Sequence, residues 1–108
     1  MKQVNEGDVP GEEPDGFFGV TVERMFSEVW SRQVLSTRER RLLLLGLLVG
    51  QGLDDAIERH LDTALRVGEL SAEELRETVV FLTLYAGWPR AAKLNAQVEE
   101  LIARCGRT

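Results

Sequence analysis

The stretch Gly52–Pro89, GLDDAIERHLDTALRVGELSAEELRETVVFLTLYAGWP, decides the fold because it encodes two helices joined by a tight turn. Apolar residues recur every three or four positions in its first part, which predicts an amphipathic helix over Asp54–Val67. Gly68–Leu70 is typical of a turn, and Ser71–Ala86 predicts a second, more apolar helix that begins with a capping box. The stretch is therefore expected to form a helical hairpin.

Three further helices are predicted around this hairpin. Apolar spacing indicates a short amphipathic helix over Gly19–Trp30 and a final helix over Arg90–Arg104. Another capping box, at Ser36, predicts a leucine-rich helix over Thr37–Val49. No strand pattern is present, so the predicted fold class is all-α with five helices.

The composition indicates one domain preceded by an arm. At 108 residues, with 44% hydrophobic and 29% charged side chains, the chain can bury a single core. Residues 1–16, with several Gly, Pro and acidic residues, predict a flexible arm, and residues 17–108 predict the helical domain. The two most apolar helices carry a great deal of apolar surface for so short a chain, and some of it could be buried between subunits, although composition alone does not show this.

Charge and cysteine content argue against several functions. The formal net charge is −5 and no helix is basic, which argues against nucleic-acid binding and against a DNA-binding regulator. Cys105 is the only cysteine, so a reduced cytoplasmic setting is expected. The longest apolar run, Leu42–Gly50, is too short to span a membrane, and no signal peptide pattern opens the chain. One histidine without a cysteine cluster predicts no metal site.

Two ionisable residues with apolar neighbours are the candidates for catalysis. His60, the only histidine, lies between Ile57 and Ala64 and is expected on the packed side of its helix or its edge. It is either a proton donor or acceptor near neutral pH or a core-edge histidine satisfied by one hydrogen bond. Glu77 is expected to be desolvated, as a general acid or base or as the partner of an arginine. The two groups are expected to converge on a small enclosed hollow.

Arginine and aromatic residues are the candidates for substrate binding. Arg40 can hold a carboxylate through two hydrogen bonds or pair with Glu77, unless it belongs to a solvated helix start. Arg32 follows Trp30 on the connector and is expected to line the same cleft. Tyr85 can offer a hydroxyl to a substrate oxygen, although an aromatic residue there is more often part of a core or interface.

The joint spacing of these residues resembles the carboxymuconolactone decarboxylase family. The pattern H-x3-AL-x2-G-x5-E-x2-E-x7-Y-x-G-x-P is matched by His60, Ala64, Leu65, Gly68, Glu74, Glu77, Tyr85, Gly87 and Pro89. The decarboxylase branch is matched upstream by Trp30, Arg32, Leu35 and Arg40. The resemblance covers Phe17–Leu101. The wider superfamily includes AhpD-type alkylhydroperoxidases, but this chain lacks the CxxC pair that peroxidase chemistry requires.

The resemblance implies a helical protomer that assembles into a homotrimer or homohexamer. It also implies a lyase without a cofactor that decarboxylates a carboxymuconolactone-like unsaturated lactone acid in aromatic-compound degradation. In such a substrate the electrons of the broken bond move to the lactone carbonyl, so no cofactor is required. The site must then supply a partner for the oxyanion and a proton. On this basis His60 is expected as proton donor or oxyanion partner, Glu77 as its proton partner, and Arg40 as the carboxylate anchor.

Several residues depart from the decarboxylase pattern and leave the substrate open. Phe81 stands where a polar residue is usual, Ala86 and Trp88 flank Gly87 where smaller or thiol-bearing residues are frequent, and Arg90–Lys93, RAAK, lacks an expected asparagine. These residues make the pocket more apolar, so another small acid or lactone is an alternative substrate. The alternative function is a non-decarboxylating family member, an oligomeric small-molecule-binding or oxidative-stress-linked protein without CxxC peroxidase activity.

Overall fold

The structure is a computed structural model that describes residues 17–106. Its elements in chain order are α1 Phe17–Trp30, α2 Thr37–Gln51, α3 Asp54–Arg66, α4 Ala72–Ala86 and α5 Trp88–Gly106. No strand occurs within residues 17–106, so the prediction of an all-α fold with five helices is confirmed. The arm predicted over residues 1–16 lies outside the described part of the chain.

Two capping boxes start α2 and α4, as the sequence predicts. At α2 the Ser36 hydroxyl accepts a hydrogen bond from the Glu39 amide at 3.0 Å, and the Glu39 carboxylate accepts one from the Ser36 amide at 2.8 Å. Ser71 and Glu74 repeat this arrangement at α4, with distances of 3.0 Å to the hydroxyl and 2.9 Å to the carboxylate. Each box satisfies two amide groups that the first turn of a helix leaves unpaired. Local sequence therefore determines where these two helices begin.

The two predicted helices form and are joined by the predicted turn, but each of them packs chiefly on a different helix. Gly68 turns the chain between α3 and α4 with φ +82°, a left-handed conformation that favours glycine. However, α3 packs chiefly on α2, and α4 packs chiefly on α5. The two helices that carry His60 and Glu77 are thus not each other's main packing partners.

The hydrophobic core lies among α2, α3, α4 and α5. Its largest side chains with less than 2% exposure are Leu45, Leu61, Leu70, Leu75, Leu94, Val49 and Val98. Burial of each such side chain stabilises the fold by about 1.5–3 kcal/mol relative to leaving it exposed. The only buried residue of α1 is Gly19, so α1 adds no large side chain to this core.

Two helices keep several large apolar side chains exposed. On α1 these are Phe17, Phe18, Val20, Met25, Phe26 and Val29. On α4 they are Val80, Phe81, Leu84 and Tyr85, a set called here the α4 apolar face. Exposed apolar side chains grouped on one helix are a common feature of interaction surfaces. Within residues 17–106, no helix has the length and apolar character needed to cross a membrane.

Candidate active site

Arg41 is the centre of a buried polar cluster. Only 9% of the residue is exposed, because it lies on α2 four positions before the fully buried Leu45 and shares its inward face. Its Nε donates to Glu69 Oε1 at 2.7 Å, and its Nη2 donates to Glu69 Oε2 at 3.2 Å. This two-point pairing fixes the plane of the guanidinium as well as its position.

His60 and Trp30 complete this arrangement, called here the Arg41 cluster: Trp30, Arg41, His60 and Glu69. Arg41 Nη1 lies 2.7 Å from His60 Nδ1. The Arg41 Cζ lies 5.0 Å from the centre of a Trp30 ring, which is within cation–π range. His60 is half-buried, so the prediction that it lies on the packed side of its helix or its edge is confirmed. The cluster joins the end of α1, α2, α3 and the turn before α4.

The surroundings of His60 favour its neutral form. Burial lowers the pKa of His60 below its ordinary value of 6.5, because removing the ring from water disfavours the charged imidazolium. The positive charges of Arg41 and Arg59 lower this pKa further, and the Glu69 carboxylate opposes them. A neutral imidazole at pH 7 follows from this balance.

Arg40 holds the connector between α1 and α2. Its Nη1 donates to the backbone carbonyls of Trp30 at 3.3 Å, Arg32 at 2.8 Å and Leu35 at 2.6 Å. Within residues 17–106 Arg40 does not pair with Glu77, because its guanidinium contacts the connector instead. Its predicted role as a carboxylate anchor stays a prediction.

Glu77 is exposed and has no hydrogen-bond or ion-pair partner within residues 17–106. The prediction that it is desolvated within the protomer is wrong for a geometric reason. Leu75 and Val79 form the buried stripe of α4, and two residues along a helix rotate a side chain by about 200°. Glu77 therefore lies opposite that stripe, on the same side as Val80 and Phe81, which are 60% and 56% exposed.

The other predicted binding residues divide between these two regions. Trp30 belongs to the Arg41 cluster, whereas the Arg32 backbone carbonyl accepts from Arg40, which also donates to the Trp30 carbonyl, and the Arg32 side chain is exposed. Tyr85 is 75% exposed on the α4 apolar face, with its ring centre 5.1 Å from that of Phe81. Trp30, Arg32, Arg40 and His60 thus lie together, apart from Glu77 and Tyr85.

The sequence interpretation missed Arg41 and Glu69. Arg41 looked like one member of a solvated charged helix start, but its spacing of four from Leu45 was a signal of an inward position. Glu69 carries no comparable signal, because it lies in the turn between α3 and α4. Its partner on α2 is 28 residues away in the sequence.

A separate groove of about 320 Å³ lies where the start of α3 meets α5, and neither His60 nor Glu77 lines it. Its polar groups tie the two helices together. Lys93 Nζ lies 2.6 Å from Asp54 Oδ2, and Gln97 Nε2 donates to the Asp54 backbone carbonyl at 3.0 Å. Among the side chains of residues 17–106, no three of His, Cys, Asp or Glu are grouped to hold a metal ion.

The chain belongs to the carboxymuconolactone decarboxylase family, whose family model matches residues 16–100. Among proteins of known name, it is similar to the 4-carboxymuconolactone decarboxylase of Acinetobacter baylyi (strain ATCC 33305 / BD413 / ADP1), with 31% identity over 81 residues. That alignment covers 75% of this chain and 60% of the relative, so the chain spans less than two thirds of the relative's length. No solved structure matches the chain significantly.

Proposed function

We propose that this protein is a cofactor-independent lyase that decarboxylates a carboxymuconolactone-like unsaturated lactone acid in aromatic-compound degradation. The single observation that carries the proposal is a half-buried imidazole held by Arg41 in a chain of this family. The similarity to a named 4-carboxymuconolactone decarboxylase supports the reaction class. The substrate is a small anionic lactone or organic acid.

The proposed reaction breaks the bond between the ring carbon and the carboxylate. The electron pair of that bond moves through the ring double bond to the lactone carbonyl, and CO2 leaves. His60 stabilises the dienolate oxygen that forms, and a proton is then delivered to carbon. Stabilisation of a developing oxyanion by a fixed donor in a partly dry site is one of the largest contributions to such catalysis.

Positive charge near His60 suits an anionic substrate. The charges of Arg41 and Arg59 act on the imidazole, and the Glu69 carboxylate opposes them. Arg40 fixes the connector by its three carbonyl contacts, and Arg32 on that connector keeps an exposed side chain for a carboxylate. We therefore assign Arg32 and Arg40 to substrate binding, with Arg40 acting mainly by positioning its neighbours.

Assembly is part of the proposal because Glu77 lacks a partner in the single chain. The α4 apolar face beside it is the surface expected to be covered in a homotrimer or homohexamer. Such a contact would cover Glu77 together with Val80 and Phe81 and bring its carboxyl group to the subunit interface. Glu77 and Tyr85 would then join the site only in the assembled protein.

The test is lactone turnover by the purified protein, with His60→Gln compared against Glu58→Gln. Glu58 is an exposed residue of the same helix, so its variant controls for changes on α3. CO2 release from carboxymuconolactone should fall about 100-fold or more in His60→Gln and remain unchanged in Glu58→Gln. Equal turnover by wild type and His60→Gln would remove this mechanism.

A second candidate function is an oligomeric small-molecule-binding or oxidative-stress-linked protein without decarboxylase activity. It is favoured by the position of Glu77, which lies outside the Arg41 cluster and gives His60 no proton partner in the protomer. This candidate would be supported if the assembled wild-type protein binds lactone acids but releases CO2 from none of them.

A further inference from the structure

We propose that Arg41 and Glu69 are positioning residues that hold His60 as the neutral imidazole protonated on Nε2, so that it donates a hydrogen bond to a ligand oxygen. This inference rests on the proposed function in taking His60 as the group that meets the substrate. It defines the ligand by chemistry: the atom facing His60 is a carbonyl, enolate or carboxylate oxygen that accepts a hydrogen bond.

The donor properties of arginine determine the state of the ring. A guanidinium has only N–H donors and no acceptor, so at 2.7 Å from Arg41 Nη1 the His60 Nδ1 must present its lone pair. That requirement excludes the imidazolium, in which both ring nitrogens carry protons, and the tautomer protonated on Nδ1. The remaining neutral form carries its proton on Nε2.

Glu69 and Trp30 keep the arginine in this orientation. The fork of two hydrogen bonds to Glu69 occupies Nε and Nη2, which leaves Nη1 aimed at the imidazole. The Trp30 ring supports the guanidinium at 5.0 Å. Only 10% of the Arg41 side chain and 14% of the Glu69 side chain are exposed, so water competes weakly with the fork. A lysine has no planar fork and cannot make the same three contacts with one fixed geometry.

The charges around His60 act in the same direction. Besides burial, Arg41 from α2 and Arg59 from α3 lower the pKa of His60, and Glu69 from the turn raises it. The net direction is downward, so protonation of Nδ1 is disfavoured both by geometry and by electrostatics.

The arrangement decides between the two roles open to His60. A neutral ring with Nδ1 engaged by Arg41 has no free lone pair, so it does not act as a general base. Loss of the Nε2 proton would create an imidazolate, so His60 is also a poor source of the proton that reaches carbon. The role that remains is a fixed donor to the dienolate oxygen, and another group supplies the proton.

Nitrogen NMR of the imidazole tests the inference without any substrate. Because the chain contains one histidine, a tag-free protein labelled with 15N-histidine gives one pair of ring nitrogen signals. At pH 7 the expected result is an unprotonated Nδ1 and a protonated Nε2, with a titration midpoint below 6.5. A protonated Nδ1 at pH 7, or a midpoint at or above 6.5, would overturn the inference.

Variants separate positioning from a general loss of structure. In Arg41→Gln the midpoint should rise toward 6.5, and the shifts of the neutral ring should move toward the average of both tautomers. Glu69→Gln, which keeps Arg41 but weakens the fork, should also move the shifts toward that average. Arg38→Gln is the matched control, because Arg38 is another arginine of α2 whose partner is Glu74, and its spectrum should equal that of wild type. Unchanged shifts in both Arg41→Gln and Glu69→Gln would contradict the inference, and the wild-type titration decides alone if both variants fail to fold.

The NMR result and the enzyme assay can fail separately. An Nε2-protonated ring in a protein that releases no CO2 from any lactone acid would leave the positioning role intact and remove the decarboxylase proposal. Turnover that depends on His60 in a protein with a protonated Nδ1 would do the opposite.

Discussion

The Arg41 cluster and the α4 apolar face both depart from the usual placement of apolar side chains inside and charged side chains outside. The cluster buries charged side chains, whereas the face exposes apolar ones. In the cluster, an ion pair and an imidazole are withdrawn from water among α2, α3 and the following turn. On the α4 apolar face, side chains such as Leu84 and Tyr85 remain 77% and 75% exposed. The first region satisfies its polar groups within one chain, whereas the second leaves apolar surface uncovered.

This difference indicates which parts of the candidate site belong to the protomer. Every polar contact of Arg41 with Glu69 and His60 forms without a partner chain. Glu77, by contrast, lies beside exposed Val80 and Phe81 and changes its environment only if another surface covers that face. His60 is therefore expected to keep its state in a dissociated protomer, while Glu77 is expected to act only after assembly.

Breaking the buried ion pair is expected to have the largest effect. Arg41→Met leaves the Glu69 carboxylate buried and unpaired, which should lower the free energy of unfolding by about 3–5 kcal/mol. The double variant Arg41→Met/Glu69→Leu should recover most of this loss, because no uncompensated charge remains. Urea unfolding at pH 7 measures both values, and a double variant as unstable as the single one would contradict the burial argument.

A charge on the α4 apolar face is expected to weaken assembly. Burial of a leucine side chain contributes about 1.5–3 kcal/mol, so Leu84→Glu should raise the dissociation constant of the oligomer by about tenfold or more. Light scattering after size-exclusion chromatography measures the mass at several protein concentrations. Asn95→Glu, which adds the same charge at an exposed position on α5, should assemble as wild type does. If Leu84→Glu also keeps the wild-type mass, that face is not the subunit interface.

The free energy of unfolding should depend on pH through His60. Its pKa is lowered in the folded state by burial first and by Arg41 second, so below about pH 6.5 the unfolded chain binds more protons than the folded one. The contribution is fully present above pH 6.5 and is lost as the pH falls. Wild type should therefore lose stability more steeply than His60→Gln between about pH 7 and 5.

Two other carboxylates with lowered pKa values do not affect the comparison between wild type and His60→Gln. The pKa of Glu74 is lowered chiefly by the Ser71 amide and that of Glu99 by Arg76, and neither shift involves His60, so their contributions should cancel between wild type and His60→Gln. Parallel stability curves for the two proteins would show that burial does not oppose protonation of His60.

The smallest effect is expected at the exposed pair Arg38–Glu74. Its nitrogen–oxygen distance of 2.7 Å equals that of the Arg41–Glu69 pair, but 46% and 45% of the two side chains are exposed. Arg38→Ala should change the free energy of unfolding far less than Arg41→Met does, because water screens an exposed pair. A loss similar to that of Arg41→Met would mean that burial does not distinguish the two pairs.

Local features of the fold were predictable from the sequence. The capping boxes at Ser36 and Ser71 depend on residues three positions apart, and the apolar periodicity of each helix depends on residues three or four apart. The five helices and the turn at Gly68 follow from such signals. The same signals placed His60 at the edge of the packed side.

The polar contacts and the covered faces were not predictable in the same way. Periodicity groups residues on one side of a helix but does not say which side another element covers, so Glu77 was assigned to the wrong environment. Arg40 and Arg41 are adjacent residues of the same type, but Arg40 donates to backbone carbonyls of the connector, whereas Arg41 contacts His60. That division depends on Glu69, a residue of a distant turn.

The most direct test of the contrast between the two regions is lactone turnover measured together with the His60 nitrogen shifts over a dilution series. As the oligomer dissociates, the specific rate of CO2 release should fall because Glu77 returns to water, while an Nε2-protonated His60 persists. A specific rate that stays constant through dissociation would contradict the account, since catalysis would then be complete within the single chain.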